Sequence, residues 1–143
     1  MAAESRATTI WEGSLEQGKG ATQVEGEGIP ELEVTWQARV KRTEGTTSPE
    51  ELLAAAHASC YCMALSHELT EAGNEPEQLR ATATLAFEPG EGVRSSAIEV
   101  RGRVPGIDQA AFEAAAAAAG EGCPISGALK GNVEISVEAT LEG

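Results

Sequence analysis

Cys60 and Cys123 sit in unlike surroundings, and each could do thiol chemistry for a different reason. The thiolate is the form that attacks or binds a metal, so the question is which surroundings favour its charge. Cys60 lies within an apolar helical stretch, where desolvation raises a thiol pKa and free cysteine commonly packs as a small hydrophobe. It would ionise there only with a positive charge from outside the helix, and Arg39 and Arg42 are the candidates. Cys123 follows the break Gly120-Glu121-Gly122 and precedes Pro124, which places it at the start of a helical turn. Unpaired peptide N–H groups and the helix dipole favour a thiolate at such a position. On these grounds alone Cys123 is the more reactive thiol. Cys62, two residues beyond Cys60, faces a different side of the helix and fits plain packing.

A metal site competes for the same residues. His57 and Cys60 are three apart on one helical face, and Cys123 could supply a third ligand, although the spacing matches no zinc motif. His67 lies seven residues beyond Cys60, about 10 Å along a helix, too far to share that ion. His67-Glu68-Leu69-Thr70-Glu71 lacks the second histidine of the zinc-protease pattern His-Glu-x-x-His. There is no Gly-x-Ser-x-Gly elbow, and Gly18-Lys19-Gly20 is only a fragment of a phosphate-binding loop. Redox thiol, metal ligand and packed cysteine therefore all stay open at this level.

The elements that must position these residues follow from periodicity and caps. Residues 6–11 and 19–25 read as short strands around a turn-rich stretch, and 26–30 as a loop. Leu32, Val34, Trp36, Ala38 and Val40 alternate with polar residues, the period of a half-buried strand. That pattern predicts a strand over 32–40, with Arg39 pointing away from the face that holds Trp36. Ser48, Pro49 and Glu51 form a helix start, and Gly73 a stop. The helix between them is apolar over most of its circumference, which predicts a buried central helix. Strands are expected at 81–88 and 95–104, with Gly90 and Gly92 in the turn. Asp108 caps a second helix over 109–119, 120–122 ends it, Cys123-Pro124-Ile125-Ser126 opens a short helical turn, and a last strand covers 133–141. Strands, helix, strands, helix, strand argue an α+β fold with a mostly antiparallel sheet in a single domain, 1–143.

The chain has 143 residues, one domain's worth, with 10 basic against 23 acidic residues and a net charge of -13. Nucleic acid and anionic membranes are repelled at long range by such a charge, so neither is expected as a partner. No charge-poor apolar run is long enough to cross a membrane. The opening Met1-Ala2-Ala3-Glu4-Ser5-Arg6 lacks the basic and apolar regions of a secretory signal, so a cytoplasmic protein is the expectation. Three cysteines, an odd number, do not form a structural disulfide framework. Aromatic residues are 3% of the chain, so a monomeric core buries little area per side chain, and dimerisation would compensate.

Two stretches resemble a known family. Ser48-Pro49-Glu50-Glu51-Leu52-Leu53-Ala54-Ala55-Ala56-His57-Ala58-Ser59-Cys60 resembles the helix-opening motif of the OsmC/Ohr family, which comprises osmotically inducible protein C and the organic hydroperoxide resistance proteins. Val104-Pro105-Gly106-Ile107-Asp108, followed by Gly122-Cys123-Pro124-Ile125-Ser126, resembles its second cysteine motif. Trp11-Glu12-Gly13 with Gly18-Lys19-Gly20 is similar to the amino-terminal strand pair of the OsmC branch. The similarity spans nearly the whole chain, in order.

The resemblance implies a cysteine peroxidase on an α+β fold, working as an intertwined homodimer with its long helices central. It implies that Cys60 is the peroxidatic cysteine, oxidised by a hydroperoxide to sulfenic acid, and that Cys123 resolves it as a disulfide. A dithiol reductant then regenerates the pair. Glu50 matches the family's glutamate ten residues before the first cysteine, and Arg39 matches the arginine on the strand before the helix. In those roles Arg39 stabilises the Cys60 thiolate while Glu50 orients the arginine. Glu50 and Cys60 lie about 15 Å apart along one straight helix. Arg39 and Glu50 of one subunit are therefore expected to complete the Cys60–Cys123 site of the other. No organic cofactor or metal is needed, because sulfur carries the redox change. The apolar surroundings of Cys60 imply a preference for organic hydroperoxides over hydrogen peroxide, in a pocket lined by Leu, Ala and Met. The alternative is a thiol-bearing or metal-binding module of the same fold without catalysis.

Overall fold

Turn chemistry and strand pairing shape the first part of the chain. Strand β1 (Ala7–Glu12) pairs antiparallel with β2 (Lys19–Val24), and Thr9 faces Thr22 across the pair, their hydroxyls 2.8 Å apart. The turn needs Gly13 at φ 95°, in the left-handed region, and it leaves no room for a side chain at Gly18. Strand β3 (Leu32–Val34) adds to the other edge of β2, completing a three-stranded antiparallel sheet. In the computed structural model, which describes residues 2–143, these elements belong to one compact unit ending at Leu52, and a second unit begins at Leu53.

The strand expected over 32–40 stops at Val34. Thr35 caps a short helix, α1 (Trp36–Lys41), its hydroxyl accepting from the Ala38 N–H at 3.1 Å. A five-position alternation is too short to separate strand from helix, and the cap decides. The consequence for Arg39 is a reversal. Three residues apart on a helix, Trp36 and Arg39 share a face, and the Arg39 guanidinium carbon stands 5.9 Å from the centre of the Trp36 ring.

Helix α2 (Pro49–Glu71) starts and stops as its sequence dictates. The Ser48 hydroxyl accepts from the Glu51 N–H at 3.2 Å. At the other end Gly73 adopts φ 86°; its N–H donates to Thr70 O, and the Asn74 N–H donates to Leu69 O, a paired left-handed stop.

The second unit packs α2 on a different sheet. Strands β4 (Gln78–Glu88) and β5 (Gly92–Arg103) form an antiparallel hairpin, and β6 (Glu134–Leu141) joins β5 in parallel. The fold is therefore α+β with two three-stranded sheets and, among the described residues, four helices. Among the named strands pairing is antiparallel except at β5–β6, and an isolated parallel bridge joins Val34 to Thr47. Helix α3 (Gln109–Gly122), capped by Asp108, runs three residues past the expected end, and α4 (Pro124–Leu129) follows at once. The core joins Tyr61, Leu65 and Leu69 of α2 to Ile98 and Val100 of β5 and Phe112 of α3. Phe112 lies where a Cβ at Gly102 would stand, which makes glycine necessary there.

Within this chain α2 is not buried over most of its circumference. His57, Tyr61, Leu65 and Leu69, four apart, form its buried stripe, whereas Met63 is 73% exposed and Ala55 is exposed as well. A single helix face meets the sheet and α3, and the remaining apolar side chains have no cover from this unit. No described helix is long and apolar enough to cross a membrane.

Candidate active site

The second unit brings the two cysteines together. Cys60 projects from the middle of α2, and Cys123 stands at the junction where α3 ends and α4 begins. Their sulfur atoms are 3.2 Å apart, although the residues are 63 positions apart in sequence. Both are free thiols; Cys60 is half-buried and Cys123 is 1% exposed. Closing to the about 2.05 Å of a disulfide needs only local movement.

The surroundings split the acidities of the pair. Burial pushes the Cys60 thiol up, the Ile125 N–H opposes this, and the neighbouring Cys123 sulfur adds to the rise. Burial would also raise Cys123, but the N–H and hydroxyl of Ser126, the Cys60 thiol and the Ile125 N–H together carry it below the ordinary thiol value. Cys123 makes no close side-chain cap bond at α4, so these amides act as nearby dipoles. The two shifts run in opposite directions, up for Cys60 and down for Cys123. Cys62 points elsewhere, into a groove with Gln78–Ala81 of β4, and burial pushes its thiol up.

The first unit pairs the other two candidates. Arg39 donates through Nε and one terminal nitrogen to the two Glu50 carboxylate oxygens, each at 2.9 Å. This bidentate pair is largely shielded, with Glu50 11% exposed, and the Glu50 hydrogen bond holds Arg39 firmly charged. Arg42 instead meets Glu51 at 3.4 Å with its own side chain 81% exposed, a pair worth little. Arg39 also borders an apolar cavity of about 290 Å³ lined by Trp11, Trp36, Leu15, Val34 and Leu52. Both tryptophans of the chain line it.

One part of the site was not legible beforehand. His57, fully buried, has both ring nitrogens engaged: Nδ1 is 2.7 Å from Ser96 Oγ and Nε2 is 2.8 Å from Ser126 Oγ. Those bonds direct it to two hydroxyls rather than to a metal shared with Cys60 and Cys123. Among the described residues no group of three or more His, Cys, Asp or Glu side chains could hold a metal ion. The available signal was Ser96, a polar residue on the core-facing parity of β5 with Ile98 and Val100.

Burial keeps His57 neutral by lowering its pKa below the ordinary 6.5. The unfolded chain takes up a proton there at a higher pH than the folded one does. The contribution of His57 to stability is therefore complete above about pH 6.5 and is lost as pH falls through that value toward the folded pKa. Urea midpoints measured between about pH 8 and pH 5 should fall on the acid side, and His57→Phe should flatten that slope.

Comparisons with known proteins show which family the chain is similar to. The family model described as OsmC-like protein matches residues 42–138. Peroxiredoxin OsmC of Escherichia coli strain K12 is 33% identical over 141 residues, covering 96% of this chain and 98% of that protein. Organic hydroperoxide resistance protein OhrB of Bacillus subtilis strain 168 is 25% identical over 122 residues, covering 85% of this chain and 90% of that one. A crystal structure of an organic hydroperoxide resistance protein OsmC from Legionella pneumophila matches with a TM-score of 0.71 at 25% identity, covering 97% of this chain and 99% of its own. The matched region contains both cysteine motifs, the relatives align along most of the chain, and the folds agree: the protein belongs to the OsmC/Ohr family.

Proposed function

We propose that the protein is a cysteine-based peroxidase that reduces organic hydroperoxides, with residues 1–143 acting as one OsmC-like domain in a homodimer. The observation that carries this reading is the 3.2 Å approach of the Cys60 and Cys123 sulfurs across 63 sequence positions. The names of the relatives, a peroxiredoxin and organic hydroperoxide resistance proteins, point to the same chemistry.

The Cys60 thiolate attacks the terminal peroxide oxygen. A sulfur–oxygen bond forms, the oxygen–oxygen bond breaks, and the leaving alkoxide takes a proton to become an alcohol. Cys123 then attacks the Cys60 sulfenic acid; the disulfide forms, and hydroxide leaves and is protonated to water. A cellular dithiol, oxidised in the exchange, returns both thiols.

Access supports Cys60 as the attacker, since it is half-buried whereas Cys123 is sealed off at 1% exposure. Electrostatics then calls for a cation, because burial pushes the Cys60 thiol up. Arg39, held charged by Glu50, is that cation, supplied by the second subunit. A dimer also covers the apolar face that α2 leaves exposed around Met63. The three free thiols fit a reducing compartment, the cytoplasm.

The test is consumption of cumene hydroperoxide and hydrogen peroxide with a dithiol reductant. The apolar cavity beside Arg39 should favour the cumene compound by about tenfold or more in kcat/KM, the worth of burying an apolar group. A wild-type protein that consumes neither peroxide ends the peroxidase reading.

A further inference from the structure

We propose that the hydrogen bond between His57 and Ser126 fixes α4 on α2 and so holds Cys123 opposite Cys60, which makes His57 a positioning residue for the disulfide. The purpose rests on the peroxidase reading; the geometry does not. Two cross-links join the same pair of elements. His57 Nε2 stands 2.8 Å from Ser126 Oγ, and the Cys60 and Cys123 sulfurs stand 3.2 Å apart. His57 and Cys60 are three apart on α2, which places them on one face about 4.5 Å apart along the axis. Cys123 and Ser126 are also three apart, spanned by the first turn of α4, where the Gly127 N–H donates to Cys123 O at 3.0 Å. The two links thus run side by side, one helical turn apart.

Helix α4 needs such a link. Six residues are too few to hold a helix by propensity. Ser126 is the buried side chain of α4, at 5% exposure, and it is polar. Ile125 and Leu129 are half-buried, and apolar contact of that kind draws the helix in without fixing its rotation. A hydrogen bond is directional and does fix it. Cys123 is the corner between two helices, with φ -72° and ψ 116°. α3 holds one arm of the corner through Phe112, Ala116 and Ala119, all buried. The His57–Ser126 bond holds the other.

The ring is itself fixed from its far side. Nδ1 stands 2.7 Å from Ser96 Oγ on β5, and His57 and Ser96 are both 0% exposed. A neutral imidazole donates from one nitrogen and accepts at the other, and a serine hydroxyl can take either role, so both bonds persist in either tautomer. Burial acts to keep the ring neutral. β5 thus anchors the ring, and the ring anchors α4.

The test is the exchange equilibrium between the Cys60–Cys123 dithiol and glutathione disulfide, in the full chain carrying Cys62→Ala. The protein gives two electrons and two protons to one glutathione disulfide, forming its own disulfide and two glutathione thiols. The equilibrium constant is the effective concentration of one protein thiol at the other. Ser126 borders a cavity of about 410 Å³, with room for one more methyl. Ser126→Thr keeps the hydroxyl and should stay within about twofold of the parent. Ser126→Val, the same shape without the hydroxyl, should lower the constant by about tenfold to a hundredfold, comparable with the loss that a misplacement of about 1 Å causes between reacting groups. His57→Phe should match Ser126→Val. A purely structural role would weaken the reduced and disulfide forms alike and leave the constant unmoved, so a Ser126→Val constant equal to that of Ser126→Thr overturns the proposal. The parent supplies a second readout, which holds even if a variant folds poorly. In its reduced form the ring N–H of His57 should exchange slowly with water by NMR, as a buried and hydrogen-bonded proton does, while that of the exposed His67 exchanges fast. A His57 proton lost as fast as that of His67 overturns the proposal. No peroxide enters either measurement, so the link can fail in an active peroxidase and hold in an inert protein.

Discussion

Replacing Cys60 by serine is expected to lower peroxide consumption by at least about a thousandfold, because a serine hydroxyl does not ionise at neutral pH and cannot replace the nucleophile. Cys123→Ser should behave differently. It should lose turnover with the dithiol while still consuming about one equivalent of peroxide per Cys60 thiol, since only the second step is blocked. Mass spectrometry after one equivalent of cumene hydroperoxide separates the cases: a disulfide in wild type, a sulfenic acid at residue 60 in Cys123→Ser. The opposite result is physically meaningful here. Within one chain Cys123 is the more acidic thiol, helped by Ser126 and the neighbouring amides, and Cys60 the less acidic. If Cys123→Ser alone abolishes the first oxidation, acidity outweighs access and the roles are reversed.

Arg39→Gln should slow the reaction by about tenfold to a hundredfold at neutral pH, through loss of a cation that favours the Cys60 thiolate. The sign of its pH dependence follows. Without the cation the thiol pKa is higher, so the deficit should narrow as pH rises and Cys60 ionises unaided. Glu50→Gln should cost less, because it loosens the bidentate grip at 2.9 Å but leaves the charge. Mixed dimers test where the cation comes from. Alone, Arg39→Gln subunits are slow and Cys60→Ser subunits inactive. If Arg39 serves the partner's Cys60, a heterodimer holds one complete site, and an equal, fully exchanged mixture should regain about a quarter of wild-type activity. If Arg39 serves its own chain, the mixture regains nothing beyond its parents. Activity that survives intact in a monomeric variant would end the shared-site reading.

What the sequence by itself determined is local. The Ser48 and Glu51 start of α2, its stop at Gly73, the Asp108 cap and the glycine turn between β4 and β5 all lie where the chain pattern places them. Each depends on contacts between residues a few positions apart, whose geometry hardly varies with the rest of the fold. The two cysteine motifs were legible for the same reason: each is a short run with its own cap or break. Elements without such anchors were less so. Five alternating positions looked like a strand over 32–40, but Val34 is the last residue paired with β2, and the Thr35 cap turns the rest into α1. That change put Arg39 beside Trp36 instead of opposite it.

Only the tertiary structure decided which distant residues meet. The Cys60–Cys123 approach spans 63 residues, and the His57 bonds to Ser96 and Ser126 span 39 and 69. The parallel docking of β6 on β5 sets Ser96 opposite Ile135. A serine on a strand reads as polar and solvent-facing until the sheet is assembled and its parity is known. Burial is a property of the whole packed unit, and so are the acidities that burial controls. The chain pattern could set Cys60 in an apolar helix and Cys123 at a helix start, but the desolvation and the dipoles that act on the two thiols come from separate elements packed at one place.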